Sequence, residues 1–252
     1  MKVLKKKITA AILVIGNEIL SGKTQDININ FLAKRLSNLG HILKEVRIVK
    51  DDKTQIIKNI KLLSKNYSNV FTTGGIGPTH DDITSECMSL AFKKKLVLNK
   101  TAQKLLIDHY KKSDVHLNKS RLKMAYIPLY SKLIKNSVSA APGFKIKNVW
   151  VLAGVPKIMQ AMFIENIEPK LTTGKKILSK NIKILIPEGD IAILLEDLQK
   201  KFKKLEIGSY PFYRPPEIGT TIVLRGTENK VIDKAIKVLC KNLTKAKIQF
   251  LM

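Results

Sequence analysis

Two adjacent carboxylates follow a cluster of glycines in the stretch Phe71-Thr-Thr-Gly-Gly-Ile-Gly-Pro-Thr-His-Asp-Asp-Ile-Thr84. Gly74, Gly75 and Gly77 can take backbone angles closed to other residues and let a ligand approach the main chain closely. Together with Pro78 and Thr79 they predict a turn at the end of an apolar strand, before a helix that Thr84 is expected to cap. A strand, a glycine turn and a helix start together suit an anion, with N–H groups aimed outward. Asp82 adds what a plain phosphate cradle lacks, a metal ligand or a general base. The stretch has neither Gly-Lys-Ser/Thr nor Gly-x-Gly-x-x-Gly, so it is not a P-loop or a dinucleotide fingerprint. A lone Gly-Gly reads as an ordinary turn; this density of glycine, proline and carboxylate reads as a phosphate loop. A side chain at Gly75 is therefore expected to obstruct ligand more than it harms folding.

The surrounding pattern says what must position that loop. Apolar runs at Ile8–Gly16, Ile42–Val49, Asn69–Thr73 and Val149–Ala153 predict strands. Helical spacing over 24–39, 54–66, 85–92, 101–110 and 118–125, and after Gly154-Val155-Pro156, separates them. Alternating strands and helices argue for a parallel sheet covered on both faces, with ligand beyond the carboxyl ends of the strands. Gly74–Asp82 and Asp51 both fall there. A second strand–Gly–Pro–helix junction at Gly154–Pro156 suggests a second loop facing the same ligand. Past Pro169 the pattern changes: strands over 177–186, 206–210 and 220–224 and helices over 189–203 and 231–243 predict a small α+β unit. The expected fold class is thus α/β, a parallel-sheet three-layer domain over residues 1–170 followed by a smaller α+β domain over residues 171–252.

Composition narrows the function classes. The chain has 252 residues and a formal charge of +26, yet only five arginines: Arg35, Arg47, Arg121, Arg214 and Arg225. Arginine is the side chain that forks onto phosphate and guanine, and no aromatic cluster interleaves the scattered lysines. No specific nucleic-acid partner is expected; the field serves instead to recruit a small polyanion. Cys87 and Cys240 read as reduced, packed thiols of a cytoplasmic protein. The basic start and the apolar run at Ile8–Gly16 imitate a leader, but the run is short and breaks at Asn17-Glu18, so a first strand is expected. No run approaches a membrane span.

Ile15-Gly-Asn-Glu-Ile-Leu-Ser-Gly22, Gln25-Asp-Ile-Asn28, Asp51-Asp52 and the glycine loop together resemble the molybdopterin-binding-like domain of molybdenum-cofactor biosynthesis proteins. Among these the chain is most similar to the amino-terminal domains of competence/damage-inducible protein A and of eukaryotic FAD synthase. Ala140-Ala-Pro-Gly-Phe144, Gly154-Val-Pro156 and Ile207-Gly-Ser-Tyr-Pro211 match downstream landmarks, so the resemblance covers almost the whole chain. Ile27 stands where the family usually has Thr, and Ala153-Gly154 where it usually reads Pro-Gly. The resemblance implies a homo-oligomer that binds a nucleotide or pterin, with Asp26, Asn28, Pro142, Gly143, Gly154 and Pro156 joining the glycine loop at the ligand. It implies a divalent-metal-dependent pyrophosphatase on a dinucleotide such as ADP-ribose or FAD. In that reading Asp51 and Asp82 hold the metal, and Glu18 or Asp81 orients the attacking water, although Asp52 and Asp81 read more simply as capping or solvated charges. The alternative is a molybdopterin-binding protein of cofactor biosynthesis; the length of the chain and the Ile207–Pro211 landmark argue against the adenylylating branch. The sequence carries neither an amidase nor an adenylyltransferase domain, so nucleotide deamidation and FAD synthesis are not expected of it.

Overall fold

The computed structural model describes residues 8–112, 115–215 and 217–251. The basic segment Met1–Lys7, part of the leader-like pattern, lies outside them. The chain divides into two compact units, Met1–Gly174 and Lys175–Met252. The division falls after Gly174 rather than after Lys170, because the expected connector is tied into the first unit. Leu171 is buried in its core, the Gly174 N–H donates to the Leu39 carbonyl at 2.8 Å, and the His41 ring Nε2 lies 2.8 Å from the Thr172 carbonyl.

The first unit opens with β1 (Thr9–Ile15), the short α1 (Asn17–Leu20) and α2 (Asn28–Asn38), then β2 (Ile42–Val49), α3 (Lys53–Asn66), β3 (Asn69–Thr73) and α4 (Thr84–Ala91). A smaller excursion follows through β4 (Leu96–Leu98), α5 (Lys100–Tyr110), α6 (Lys119–Leu122) and β5 (Tyr126–Pro128), and the chain returns through β6 (Lys132–Ile134), β7 (Gly143–Ile146), β8 (Val149–Leu152) and α7 (Pro156–Met162). The main sheet has the order β2-β1-β3-β8-β7-β6. β2, β1, β3 and β8 run parallel; β7 and β6 add antiparallel at one edge. The sheet is therefore mostly parallel rather than wholly so. The tight β7–β8 connection at Lys147-Asn148 leaves no room for the crossover that a parallel pair requires.

β1 is buried along nearly its whole length, and its alternation divides the core. Ala11, Leu13 and Ile15 pack with Ile56 and Ile60 of α3 and Cys87 and Met88 of α4. Ala10, Ile12 and Val14 pack with Leu32 and Leu36 of α2 and Met159 and Met162 of α7. Both faces are covered, giving three layers, as a continuously apolar parallel strand demands. Val14 pairs with Thr73 and Thr73 with Leu152, so the parallel strands end nearly level. Among the described residues no helix is long and apolar enough to cross a membrane.

In the second unit β9 (Leu178–Ile184), α8 (Ala192–Lys201), β10 (Glu206–Arg214), β11 (Glu217–Gly226), α9 (Asn229–Lys245) and β12 (Phe250–Leu251) form an antiparallel sheet of order β10-β11-β9-β12. Ile182, Ile184, Ile222 and Leu224 meet Leu198 of α8 and Ile232, Ala235 and Leu239 of α9 in one core. The α9 stripe at 232, 235, 239 and 243 is buried throughout, the spacing of a single helical face.

Burial settles the state of Cys87. It is fully inaccessible, and burial pushes its thiol up to about 12, so at pH 8 only about one molecule in ten thousand carries the nucleophilic thiolate. We expect iodoacetamide to leave Cys87 unmodified in the native chain and to label it fully in denaturant. Labelling of Cys87 at the native rate of a surface thiol, read by peptide mass spectrometry, would contradict this packing.

Candidate active site

The level strand ends release four loops on one side of the sheet, and the contacts among them are specific. After β1 the Gly16 N–H donates to the Val49 carbonyl at 3.1 Å, and the Asn17 N–H donates to Oδ2 of Asp51 at 2.9 Å. After β3 the Gly74 N–H donates to the Leu152 carbonyl at 3.2 Å. The Asn28 amide, fixed at the first turn of α2, donates to the Gly154 carbonyl at 2.8 Å, which anchors the loop after β8. Asp26 accepts from the Ile29 N–H at 2.8 Å and so holds the start of that helix.

The glycine loop is closed at its base by Thr84. Its N–H donates to the Gly75 carbonyl at 2.9 Å, and its hydroxyl donates to the Gly74 carbonyl at 3.0 Å. Thr84 was expected to cap the following helix; instead α4 starts at Thr84 itself, from Ile83, with no side-chain cap. The hydroxyl is drawn away because the loop doubles back and presents a buried carbonyl that needs a donor. Gly74 and Gly75 take φ of +99° and +68°. A Cβ at Gly75 would lie 2.2 Å from the Thr84 hydroxyl. A side chain there points into the loop's own base rather than outward, so substitution strains the fold before it touches ligand, contrary to the sequence expectation.

The far end of the loop is braced by its own carboxylates. Oδ2 of Asp82 accepts from the Thr79 N–H at 2.8 Å and lies 2.5 Å from the Thr79 hydroxyl. That hydroxyl also lies 2.6 Å from Oδ1 of Asp81. The Thr79 hydrogen bond, with smaller help from His80 and Lys123, holds the Asp81 carboxyl below the usual aspartate range. Lys123, in a 3-10 turn after α6, donates to the Thr79 carbonyl at 2.8 Å. The sequence reading missed Lys123: one lysine among many, with nothing local to single it out. Replacing it by Met keeps the bulk and removes the donor. We expect Lys123→Met to speed amide exchange in peptides covering 76–83 severalfold while shifting Tm by under about 2 °C, as for an exposed polar contact. Unchanged exchange there would show that the contact does not hold the loop.

These loops enclose a cavity of about 430 Å³, within the range of small-ligand sites. Gly74, Gly75, Gly77, Pro78, Thr79, Asp82, Asp51, Glu18 and Gly154 all line it, together with Asp81. The other expected ligand residues are placed behind the lining. Asp26, Asn28 and Thr84 make the supporting bonds above. Pro142 is buried, and Gly143 packs so that a Cβ would lie 2.3 Å from the Val151 carbonyl; Pro156 begins α7. Asp52 caps α3, accepting from the Gln55 N–H at 2.8 Å. The rest of the lining includes Tyr110 and Met124 of the β4–β5 excursion, which the sequence did not single out, and Asn136, Ser139 and Ala141 of the loop after β6, where the Ala140–Phe144 landmark begins.

Comparison with known proteins places this arrangement. A family model described as a probable molybdopterin binding domain matches residues 11–173. The chain belongs to that family. A second model, described as the middle domain of FAD synthase, matches residues 176–251. A protein of Pyrococcus abyssi is 32% identical over 241 residues, covering 90% of this chain and 94% of its own length. One of Archaeoglobus fulgidus is 33% identical over 227 residues, with the same coverage. Among solved structures, the protein CinA of Thermoplasma acidophilum, of unknown function, is 33% identical with a TM-score of 0.59; the match covers 63% of this chain and 95% of that one. The molybdopterin-binding-domain family thus accounts for the first unit, glycine loop included, and the Pyrococcus and Archaeoglobus relatives match over nearly their whole length.

The carboxylates fit a hard divalent cation in chemistry, since carboxylate oxygen is the donor magnesium and manganese prefer. Among the described residues, however, no three His, Cys, Asp or Glu side chains gather as a complete metal set. A cation here would take one or two carboxylates and fill its shell from ligand phosphate and water, the pattern of nucleotide sites.

Proposed function

We propose that the chain is a divalent-cation-assisted nucleotide pyrophosphatase cleaving a dinucleotide such as ADP-ribose or FAD. The observation that carries this reading is the single cavity lining that combines the glycine loop with Asp51, Asp82 and Glu18. In this reading the backbone amides of Gly75 and Gly77 bind one phosphate of the diphosphate. Asp51 and Asp82 hold the cation, which when bound offsets charge on the phosphate oxygens. Water attacks one phosphorus, the bridging P–O bond breaks, and the released phosphate oxygen leaves as part of a monophosphate. The proton of the attacking water goes to a carboxylate. Glu18 or Asp81, both in the cavity lining, takes that role. The FAD synthase description of the second model supports a dinucleotide ligand.

The description of the first family favours a second reading, in which the cavity binds a molybdopterin without cleaving it. A panel of ADP-ribose, FAD, NAD, coenzyme A and molybdopterin, each with several divalent metals and with product analysis, separates the two. Release of AMP from ADP-ribose or FAD supports the hydrolase; tight pterin binding with no turnover of any dinucleotide would replace it. The oligomer implied by the family resemblance belongs to the same proposal and is read by light scattering on the same samples.

A further inference from the structure

The cavity lining is chemically mixed. The glycine loop and the carboxylates are the part suited to phosphate. The same lining carries Met124 and Ala141 beside Asn136 and Ser139, and among the described residues Tyr110 is its aromatic member. Tyr110 is the last residue of α5, and its position is built. It packs on the small core of Ala102, Leu106 and Ala125, with the His109 ring edge-on at 5.3 Å. The Arg121 guanidinium stands over the Tyr110 ring at 5.5 Å from its centroid. Arg121 is itself held by donation from Nη1 to the His116 carbonyl at 2.7 Å. Arg121 also borders a hollow shared with Pro78, Thr79 and His80 of the glycine loop. One short segment therefore links the aromatic wall to the phosphate loop.

We infer that Tyr110 is the platform on which the ligand's planar heterocycle stacks, with Arg121 holding the ring in place. This rests on the nucleotide reading above and adds to it the means of selection: the cavity recognises both a phosphate and a flat aromatic head. Stacking of a base on an aromatic side chain tolerates several bases, because each has a π face. The subsite therefore favours adenine, flavin or pterin heads and contributes nothing to the binding of diphosphates that lack one. Tyr110 is a specificity residue in this assignment, and Arg121 a positioning residue acting through it.

The test uses the full chain and two ligands, 1,N6-etheno-ADP-ribose and inorganic pyrophosphate. Etheno-adenine fluorescence is expected to be quenched on binding to the wild type. Tyr110→Leu, which keeps apolar bulk for the small core, is expected to weaken etheno-ADP-ribose binding about tenfold to a hundredfold and abolish the quench, with pyrophosphate affinity unchanged. Tyr110→Phe should retain both, and Arg121→Met should fall between. Equal losses for the two ligands in Tyr110→Leu, a quench that survives that change, or a wild type that gives no quench would each overturn the assignment. A wild type that binds and quenches but never cleaves would defeat the pyrophosphatase reading while leaving the platform standing.

Discussion

Asp82→Asn is expected to reduce dinucleotide turnover by about a hundredfold to a thousandfold while leaving thermal unfolding nearly unchanged. Asp82 has two separable tasks. Oδ2 organises the loop by accepting from the Thr79 N–H and lying against its hydroxyl, and in the proposed reaction the charge of the carboxylate supports the cation that meets the phosphates. Asparagine keeps the shape and one carbonyl oxygen for the Thr79 N–H, but removes the charge. Losing one well-placed electrostatic group in an active site commonly costs a factor of that size. Asp82→Ala removes both tasks, so it should match or exceed the asparagine loss and also speed amide exchange across 76–83. Steady-state kinetics at saturating metal, set beside calorimetry, checks both statements. Full turnover in Asp82→Asn would remove this residue from the chemistry and leave it as a loop brace.

Gly74→Ala should produce the largest stability loss of any single methyl addition in the loop. A Cβ there would stand 2.0 Å from the Ile15 carbonyl oxygen, a backbone atom that cannot swing aside, at a φ of +99°. The left-handed backbone costs about 1–3 kcal/mol for a side-chain-bearing residue, and overpacking adds about 1–3 kcal/mol more. For a unit of this size the sum corresponds to a Tm loss of about 4–24 °C. Gly22→Ala is the control, since Gly22 has φ +72° with nothing within 4 Å of the added carbon. It carries the dihedral cost of about 1–3 kcal/mol without the added collision and should lose correspondingly less. Equal Tm losses for the two variants would show that the collision, and hence the close approach of β1 and β3 at the site, is not what demands glycine.

How far the fold was legible depended on the range of the interaction involved. The β1, β2 and β3 strands and the helices between them are continuous apolar or 3.6-periodic runs, and they appear close to where the pattern puts them. The helix at 24–39 shortened to Asn28–Asn38 because Asp26 accepts from Ile29 and sets a later start. The helix at 189–203 divided into a 3-10 turn and α8. The strands β4, β5, β6 and β12 went unread: each has three residues or fewer, and what makes each a strand is its partner, not its own periodicity. The antiparallel β7–β8 pairing was hidden for the same reason.

The candidate site divides along the same line. Residue type and local spacing alone determined the glycine loop, its carboxylates and the second Gly-Pro junction, because backbone freedom, charge and turn chemistry are properties of a few neighbouring residues. Only the tertiary structure decided which of those residues line the cavity and which stand behind it. Asn28 reaches Gly154 across 126 positions, Asn17 meets Asp51 across 34, and Lys123 reaches Thr79 across 44. Thr84 serves Gly74 rather than its own helix because a buried carbonyl has to find a donor wherever the folded chain supplies one. Tyr110 and Met124 become part of the cavity lining only when the β4–β5 excursion folds against the glycine loop. Such contacts depend on packing between distant segments, which local sequence pattern does not encode.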